Sequence, residues 1–72
     1  DLKLIVGVAE KLERLLHRVG VYYFWQIAEW TRRDVKLVDD RLEVFKGRID
    51  RDRWVKQSRA LARLPASARK PR

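Results

Sequence analysis

The chain has 72 residues, with 46% hydrophobic and 39% charged side chains and a formal net charge of +8. That length allows one small core and no second domain, and the composition suits a folded, helix-rich chain. The absence of Cys excludes a disulfide framework and a thiolate metal site, and the longest apolar run, residues 21–25, is far short of the roughly 20 residues that span a bilayer.

In chain order, Asp1 is placed to cap a short first helix over residues 2–6, and a turn over residues 7–9 follows. A second helix is expected over residues 9–19, because Leu12, Leu15, Leu16 and Val19 recur at i, i+3, i+4 and i+7 and so share one face. Gly20 stands where a left-handed residue ends a helix, and Val21 is expected to fold back onto the helix it follows. The aromatic stretch could form a strand on propensity alone. Phe24, Ile27 and Ala28 continue it with helical spacing, so a third helix is expected over residues 23–29. Thr31 and Asp34 form a capping-box-like pair for a fourth helix over residues 32–42, with Val35, Val38 and Leu42 on one side. Residues 44–49 read as a loop through Gly47. Asp50 then reads as the cap of a fifth helix over residues 51–63, with Asp52 in its first turn and Trp54, Val55, Ser58, Leu61 and Ala62 inward. Pro65 ends that helix, and the ASARKPR tail has no core of its own and is expected to be flexible. The expected architecture is all-α: one domain over residues 1–64 with five short helices, and a basic tail over residues 65–72. The expected core is Leu4, Ile5, Leu12, Leu15, Leu16, Ile27, Val35, Val38, Leu42, Phe45, Trp54 and Leu61.

The charge is one-sided. Residues 1–45 carry eight basic and eight acidic side chains, whereas residues 46–72 carry ten basic and two acidic ones, so the whole excess sits in the last helix and the tail. RNA, DNA and acidic protein surfaces are all eligible partners for such a field. The candidate nucleic-acid contacts are Lys46, Arg48, Arg51, Lys56, Arg59, Arg63, Arg69 and Lys70, with Arg53 and Arg72 in the same basic set. Lys56, Arg59 and Arg63 recur at i, i+3 and i+7 and avoid the face of Trp54 and Leu61. The bland alternative is a solubilising surface, against which two acids among twelve charges is lopsided.

Gly7, Val8 and Ala9 form the second candidate. A Gly-x-Gly turn before a helix N-terminus grips phosphate, because its backbone N–H groups are accessible and the helix dipole is positive there. This turn retains the first glycine only. Ala9 is expected to resist a positive φ and to crowd a phosphate, and Glu10 puts a carboxylate in the first helical turn. The expectation is a structural hairpin. Among the aromatics, Phe24, Trp30, Phe45 and Trp54 are spaced to meet inside. Tyr22, Tyr23 and Trp25 are harder to bury together, so one or two should be exposed, against a partner protein or as base-stacking platforms. Catalysis has little support. His17 is a lone boundary histidine, Asp39 and Asp40 point about 100° apart on a helix, and Asp50 and Asp52 fit capping better than metal binding. No catalytic residue, metal site or cofactor is expected.

DLKLIVGVAEKLERLL resembles the DLKLI-x-G-V-G-P-K-L-E-x-x-L opening of a helix-hairpin-helix domain. YYFWQIAEWTRRDVKLVDDRL is similar to its middle segment, T-F-x-Q-I-A-x-W-T-x-x-D-I-x-x-V-D-x-x-L. FKGRIDRDRWVKQSRALA is similar to its F-K-G-R-I-x-R-D-x-W-x-x-Q-A-x-x-L-A close. The resemblance covers residues 1–62, and the FKGRI-x-R-D-x-W string is its most specific part. In alphaproteobacteria this domain is a C-terminal appendage of large-subunit ribosomal protein twenty-one and of the E subunit of NADH:quinone oxidoreductase. The resemblance therefore implies a non-catalytic interaction domain of a larger assembly. The leading expectation is a ribosomal large subunit, mitochondrial or alphaproteobacterial. The basic last helix and tail would there meet rRNA phosphates and neighbouring proteins, in the mitochondrial matrix or the bacterial cytoplasm. The alternatives are an accessory domain of respiratory complex I and a DNA-binding helix-hairpin-helix module. Neither a small-molecule substrate nor membrane insertion is expected, and the chain is not expected to act as a free monomer. Ala9 and Glu10 replace the family's Gly and Pro where the hairpin would touch phosphate.

Overall fold

The computed structural model describes residues 2–70. Among them there are five α-helices and no strand: α1 (Glu10–Arg18), α2 (Phe24–Ala28), α3 (Arg32–Asp39), α4 (Arg48–Arg51) and α5 (Trp54–Leu61). Two 3-10 turns, Leu2–Leu4 and Glu43–Phe45, complete the regular structure.

The chain opens on 3-10 geometry rather than the expected α-helix over residues 2–6. Ile5 N–H donates to Leu2 O at 3.1 Å and Val8 N–H to Ile5 O at 3.0 Å. With i→i+3 bonding, residues three apart eclipse one another. Leu2, Ile5 and Val8 therefore line one side and are buried, while Leu4, expected in the core, is 57% exposed. Leu12 and Leu16 of α1 lie in the core, with Leu15 and Val19 packed at its edge. The helix ends as its glycine suggests. Gly20 has φ +90°, Gly20 N–H donates to His17 O at 3.0 Å and Val21 N–H to Leu16 O at 2.9 Å, a Schellman closure that buries Val21.

Helix α2 is short, and the Gln26 side chain organises its entry. Gln26 Oε1 accepts from Tyr22 N–H at 2.7 Å and Tyr23 N–H at 2.9 Å, and Gln26 Nε2 donates to Gly20 O at 3.1 Å. The Thr31–Asp34 capping box forms: Asp34 N–H donates to Thr31 Oγ1 at 3.2 Å, and Thr31 N–H donates to Asp34 Oδ2 at 2.9 Å. These hydrogen bonds hold the Asp34 carboxyl below its ordinary range. Helix α3 stops at Asp39, short of the expected Leu42. Tight turns then carry Arg41 and Leu42, and Leu42 still reaches the core.

Residues 44–49 are not a plain loop, and Asp50 does not cap the last helix. Gly47, at φ +87°, starts α4, and its N–H donates to Asp39 Oδ1 at 2.7 Å. Asp50 lies inside α4 and pairs with Arg32 at 2.9 Å, while Asp52 follows α4. The expected helix over residues 51–63 is broken at Arg53, which has φ +51°. Packing explains the break. Ile49 and Trp54 are both buried, but residues five apart on one continuous helix face about 140° away from each other. The bend at Arg53 turns both inward. The inner face of α5 is as expected: Trp54 and Ser58 are buried, with Val55, Leu61 and Ala62 packed beside them. Helix α5 ends at Leu61, before Pro65. Pro65 has no N–H to offer the Leu61 carbonyl, which accepts from Leu64 N–H at 3.1 Å and from Ser67 Oγ at 2.8 Å.

Helices α2 and α5 pack most extensively against each other, and α4 joins α5 to α3. The radius of gyration is 11.2 Å, which matches the about 11 Å expected of a compact chain this long, so all five helices share one core.

Candidate nucleic-acid interface

In the hairpin, Gly7 has φ +100°, whereas Ala9 is extended at φ −99°, ψ 178°. The second position therefore does not need a glycine for its backbone, contrary to the expectation drawn from its side chain. Gly7 needs to be glycine for two reasons. Its φ is unfavourable for other residues, and a Cβ built there would overlap the Asp52 carboxylate, lying 2.7 Å from its Cγ. Asp52 is fixed in turn by Arg51, whose Nε and Nη2 each donate at 3.1 Å, and this pairing holds the carboxyl below its ordinary range. Gln57 clamps the same turn to α5. Its Oε1 accepts from Val6 N–H at 2.9 Å, and its Nε2 donates to Val6 O at 3.2 Å and to Asp52 O at 2.5 Å. Val8 is in the core, and Glu10 pairs with Arg14 at 2.6 Å. The Cβ side of Gly7 thus faces a carboxylate of the chain itself.

The basic candidates separate into two groups. Three of them have partners within the chain. Arg51 holds Asp52, Lys70 pairs with Glu29 at 2.9 Å, and the Arg48 guanidinium lies 5.5 Å above the Phe45 ring. Lys46, Lys56, Arg59, Arg63 and Arg69 are exposed and have no ion-pair partner among the described residues. Arg63 lies past the end of α5, so its i+7 relation to Lys56 is not one of a continuous helix. Arg72 is outside the described residues.

Lys56 and Arg59 line an open cleft of about 350 Å³ between α5 and the start of α3. Arg53 and Arg32 join them, and Trp30, Val35, Ile49 and Val55 supply an apolar wall. The Asp50 carboxylate of this cleft is engaged by Arg32. Sequence reasoning left Trp30 in the core, used Arg32 only as a helix residue, and did not single out Gln57. Trp30 is half-buried. The spacing R-D-x-W-x-x-Q was the available signal for Gln57: it puts Asp52 and Gln57 on either side of the buried Trp54.

The other aromatics form a surface ladder. His17 stacks on Tyr22 at 4.9 Å, Tyr22 tilts against Tyr23 at 6.4 Å, and Tyr23 stacks on Trp25 at 6.1 Å. Tyr22 is 52% and Tyr23 47% exposed, in line with the expectation that this group could not all be buried. His17 therefore contacts a ring. Among the described residues, no three His, Cys, Asp or Glu side chains converge as a metal-binding group, and no helix is long and apolar enough to cross a membrane.

The chain is similar to ribosomal proteins of both subunits. It is 52% identical over 62 residues to the large ribosomal subunit protein bL21 of Jannaschia sp. (strain CCS1), covering 86% of this chain and 24% of that protein. It is 48% identical over 63 residues to bL21 of Roseobacter denitrificans, covering 88% of this chain and 29% of that one. It is also 41% identical over 68 residues to the small ribosomal subunit protein uS2 of Methylobacterium nodulans, covering 94% of this chain and 19% of that protein. The chain thus spans less than a third of the length of these relatives. The uS2 relatives are small-subunit proteins, a class that the sequence resemblance did not include. No solved structure matches the chain. The family model described as the RS2/RL21/YNQ2 HHH domain matches residues 2–62, nearly all of the packed core, and the chain belongs to that helix-hairpin-helix family.

Proposed function

We propose that this domain is a non-catalytic attachment module of a ribosomal protein, and that it holds rRNA phosphates through the exposed cations of α5 and its flanks. The observation that carries the reading is the set Arg53, Lys56 and Arg59. These three cations share one cleft and form no ion pair among the described residues, the cleft's Asp50 being paired with Arg32. Arg63, Lys46 and Arg69 extend the field. Lys70 and Arg51 are committed to carboxylates in the free domain and contribute less. The hairpin of Gly7, Val8 and Ala9 acts as scaffold, a reading supported by the Asp52 carboxylate beside Gly7, which would repel a phosphate. The exposed Tyr22–Tyr23 ladder is the surface we assign to a neighbouring protein.

A large-subunit parent is favoured by the bL21 relatives, which share more identity with this chain than the uS2 relative does. The uS2 likeness over 94% of the chain supports a small-subunit parent as the second reading. The bacterial origin of these relatives supports a bacterial cytoplasmic ribosome as the setting.

Titration of the domain with a structured RNA across a salt series tests this function. Each phosphate neutralised adds about 0.7–0.9 to the slope of log affinity against log salt. Arg59→Ala/Arg63→Ala should weaken binding and lower that slope, while Ala9→Gly should leave both unchanged. An RNA affinity that ignores the double substitution, or no RNA binding at low salt, refutes the assignment.

A further inference from the structure

We infer that the cleft between α5 and the start of α3 seats one unpaired nucleotide of a single-stranded RNA segment, with its base against Trp30 and its phosphate on Arg53, Lys56 and Arg59. The inference rests on the RNA reading above and specifies what that site recognises. Three observations support it.

First, the cleft lining has two chemical characters. Trp30, Val35 and Val55 are apolar, and Arg53, Lys56 and Arg59 are cationic. A duplex presents phosphates but keeps its bases stacked inside, so it would use only the cationic side chains. An unpaired nucleotide matches both, because its base has an apolar π-face and its phosphate a full negative charge. Second, Trp30 packs against the edge of the core, is half-buried rather than fully buried, and makes no ring contact among the described residues, whereas His17, Tyr22, Tyr23 and Trp25 contact one another and Trp54 is fully buried. Third, the size fits: about 350 Å³ lies at the lower end of the range of small-ligand pockets, suited to one nucleotide rather than a helix or a folded domain. The one carboxylate in the cleft, Asp50, is offset by Arg32 at 2.9 Å, so the lining keeps a net positive charge toward a phosphate.

The test compares three probes of equal length and charge: a single-stranded RNA oligonucleotide, its abasic analogue and a poly-glutamate peptide. Wild-type domain should bind the base-bearing strand roughly tenfold more tightly than the abasic one, the scale of a single base–aromatic stack. Trp30→Leu should bring the base-bearing strand down to the abasic level without changing the salt slope, and Trp30→Phe should restore part of the difference. Circular dichroism of both variants confirms that the fold is retained, and the Phe variant keeps the test decisive if the Leu variant unfolds. Lys56→Ala should weaken both strands equally. Equal binding of base-bearing and abasic strands, with the salt slope intact, overturns the nucleotide seat while leaving the phosphate contact standing. Poly-glutamate binding as tight as that of the base-bearing strand also overturns it, because the cleft would then read charge alone. No binding of either strand overturns both this inference and the RNA reading.

Discussion

Gly7→Ala tests the hairpin most directly. At φ +100°, an added Cβ is in a region that L-residues resist, at a cost of about 1–2 kcal/mol. The same Cβ also meets Asp52, 2.7 Å from Cγ and 3.1 Å from Cβ. Relieving that overlap means displacing a packed side chain, and overpacking of this kind costs about 1–3 kcal/mol. The expected total is about 2–5 kcal/mol, a large share of the about 4–11 kcal/mol typical of a 72-residue domain. The steric part is separable by a double-mutant cycle with Asp52→Ala. That change deletes the atoms in closest overlap, so Gly7→Ala should cost about 1–2 kcal/mol in its background, leaving a coupling of at least about 1 kcal/mol. Loss of the Arg51 contact cancels, because it occurs in both arms of the cycle. Urea unfolding followed by tryptophan fluorescence supplies the four stabilities, with buried Trp54 as reporter. An equal cost in both backgrounds would show that Asp52 does not pack on Gly7. A cost below about 0.5 kcal/mol would refute the positive-φ argument as well.

Three further outcomes follow from the packing and the carboxylates. Trp54→Ala should cost about 3–5 kcal/mol in urea unfolding followed by circular dichroism, since this α5 side chain is fully buried, and a cost below about 2 kcal/mol would show that the site collapses around the smaller residue. Ser58→Ala should raise stability by about 1 kcal/mol in urea, because the buried Ser58 hydroxyl has no hydrogen-bond partner among the described residues; a loss would mean that the hydroxyl is satisfied. The Asp34 carboxyl is held down by its Thr31 hydrogen bonds, and that of Asp52 by the Arg51 guanidinium. A carboxyl depressed by folding stabilises fully above its unfolded value of about 3.9, and that contribution is lost as pH falls through the lower folded value. Unfolding midpoints should therefore drop below about pH 4. Asp34→Asn/Asp52→Asn should flatten that drop, and an unchanged acid limb would refute the attribution.

The sequence was most informative where one residue decides the local geometry. Gly20 ends α1 through its positive φ, and Thr31 with Asp34 opens α3, each as its residue type requires. It was least informative where tertiary contacts outweigh local signals. Asp50 and Asp52 are good capping residues, yet the chain bends after them because Ile49 and Trp54 must both enter one core. Arg53 takes a positive φ that nothing in its own side chain favours. Leu4 read as core under helical spacing and is exposed under 3-10 spacing, a choice that hydrogen bonds from Ile5 and Val8 settle. The basic set was legible as a composition but not as a site. Lys70 looks the same as Lys56 and Arg59 in the sequence, and only the fold brings Glu29 to it, whereas Arg51 has Asp52 as its chain neighbour.

The hairpin and the cleft are joined through the last two helices. Gln57 and Asp52, which flank Trp54 in the chain, meet the hairpin turn at Val6 and Gly7, and the exposed Arg53, Lys56 and Arg59 belong to the same segment. Attaching α5 to the turn therefore fixes the orientation of the cationic cleft. That arrangement has a thermodynamic consequence. Lys56 and Arg59 stand three apart on α5, where like charges repel, and no counter-ion among the described residues offsets them. They form no ion pair among the described residues, which leaves both open to an external anion. In the RNA reading that anion is a phosphate, whereas the Asp52 carboxylate beside Gly7 is already held by Arg51 within the chain. On that reading the hairpin side is closed by internal charge and the cleft is completed by external charge.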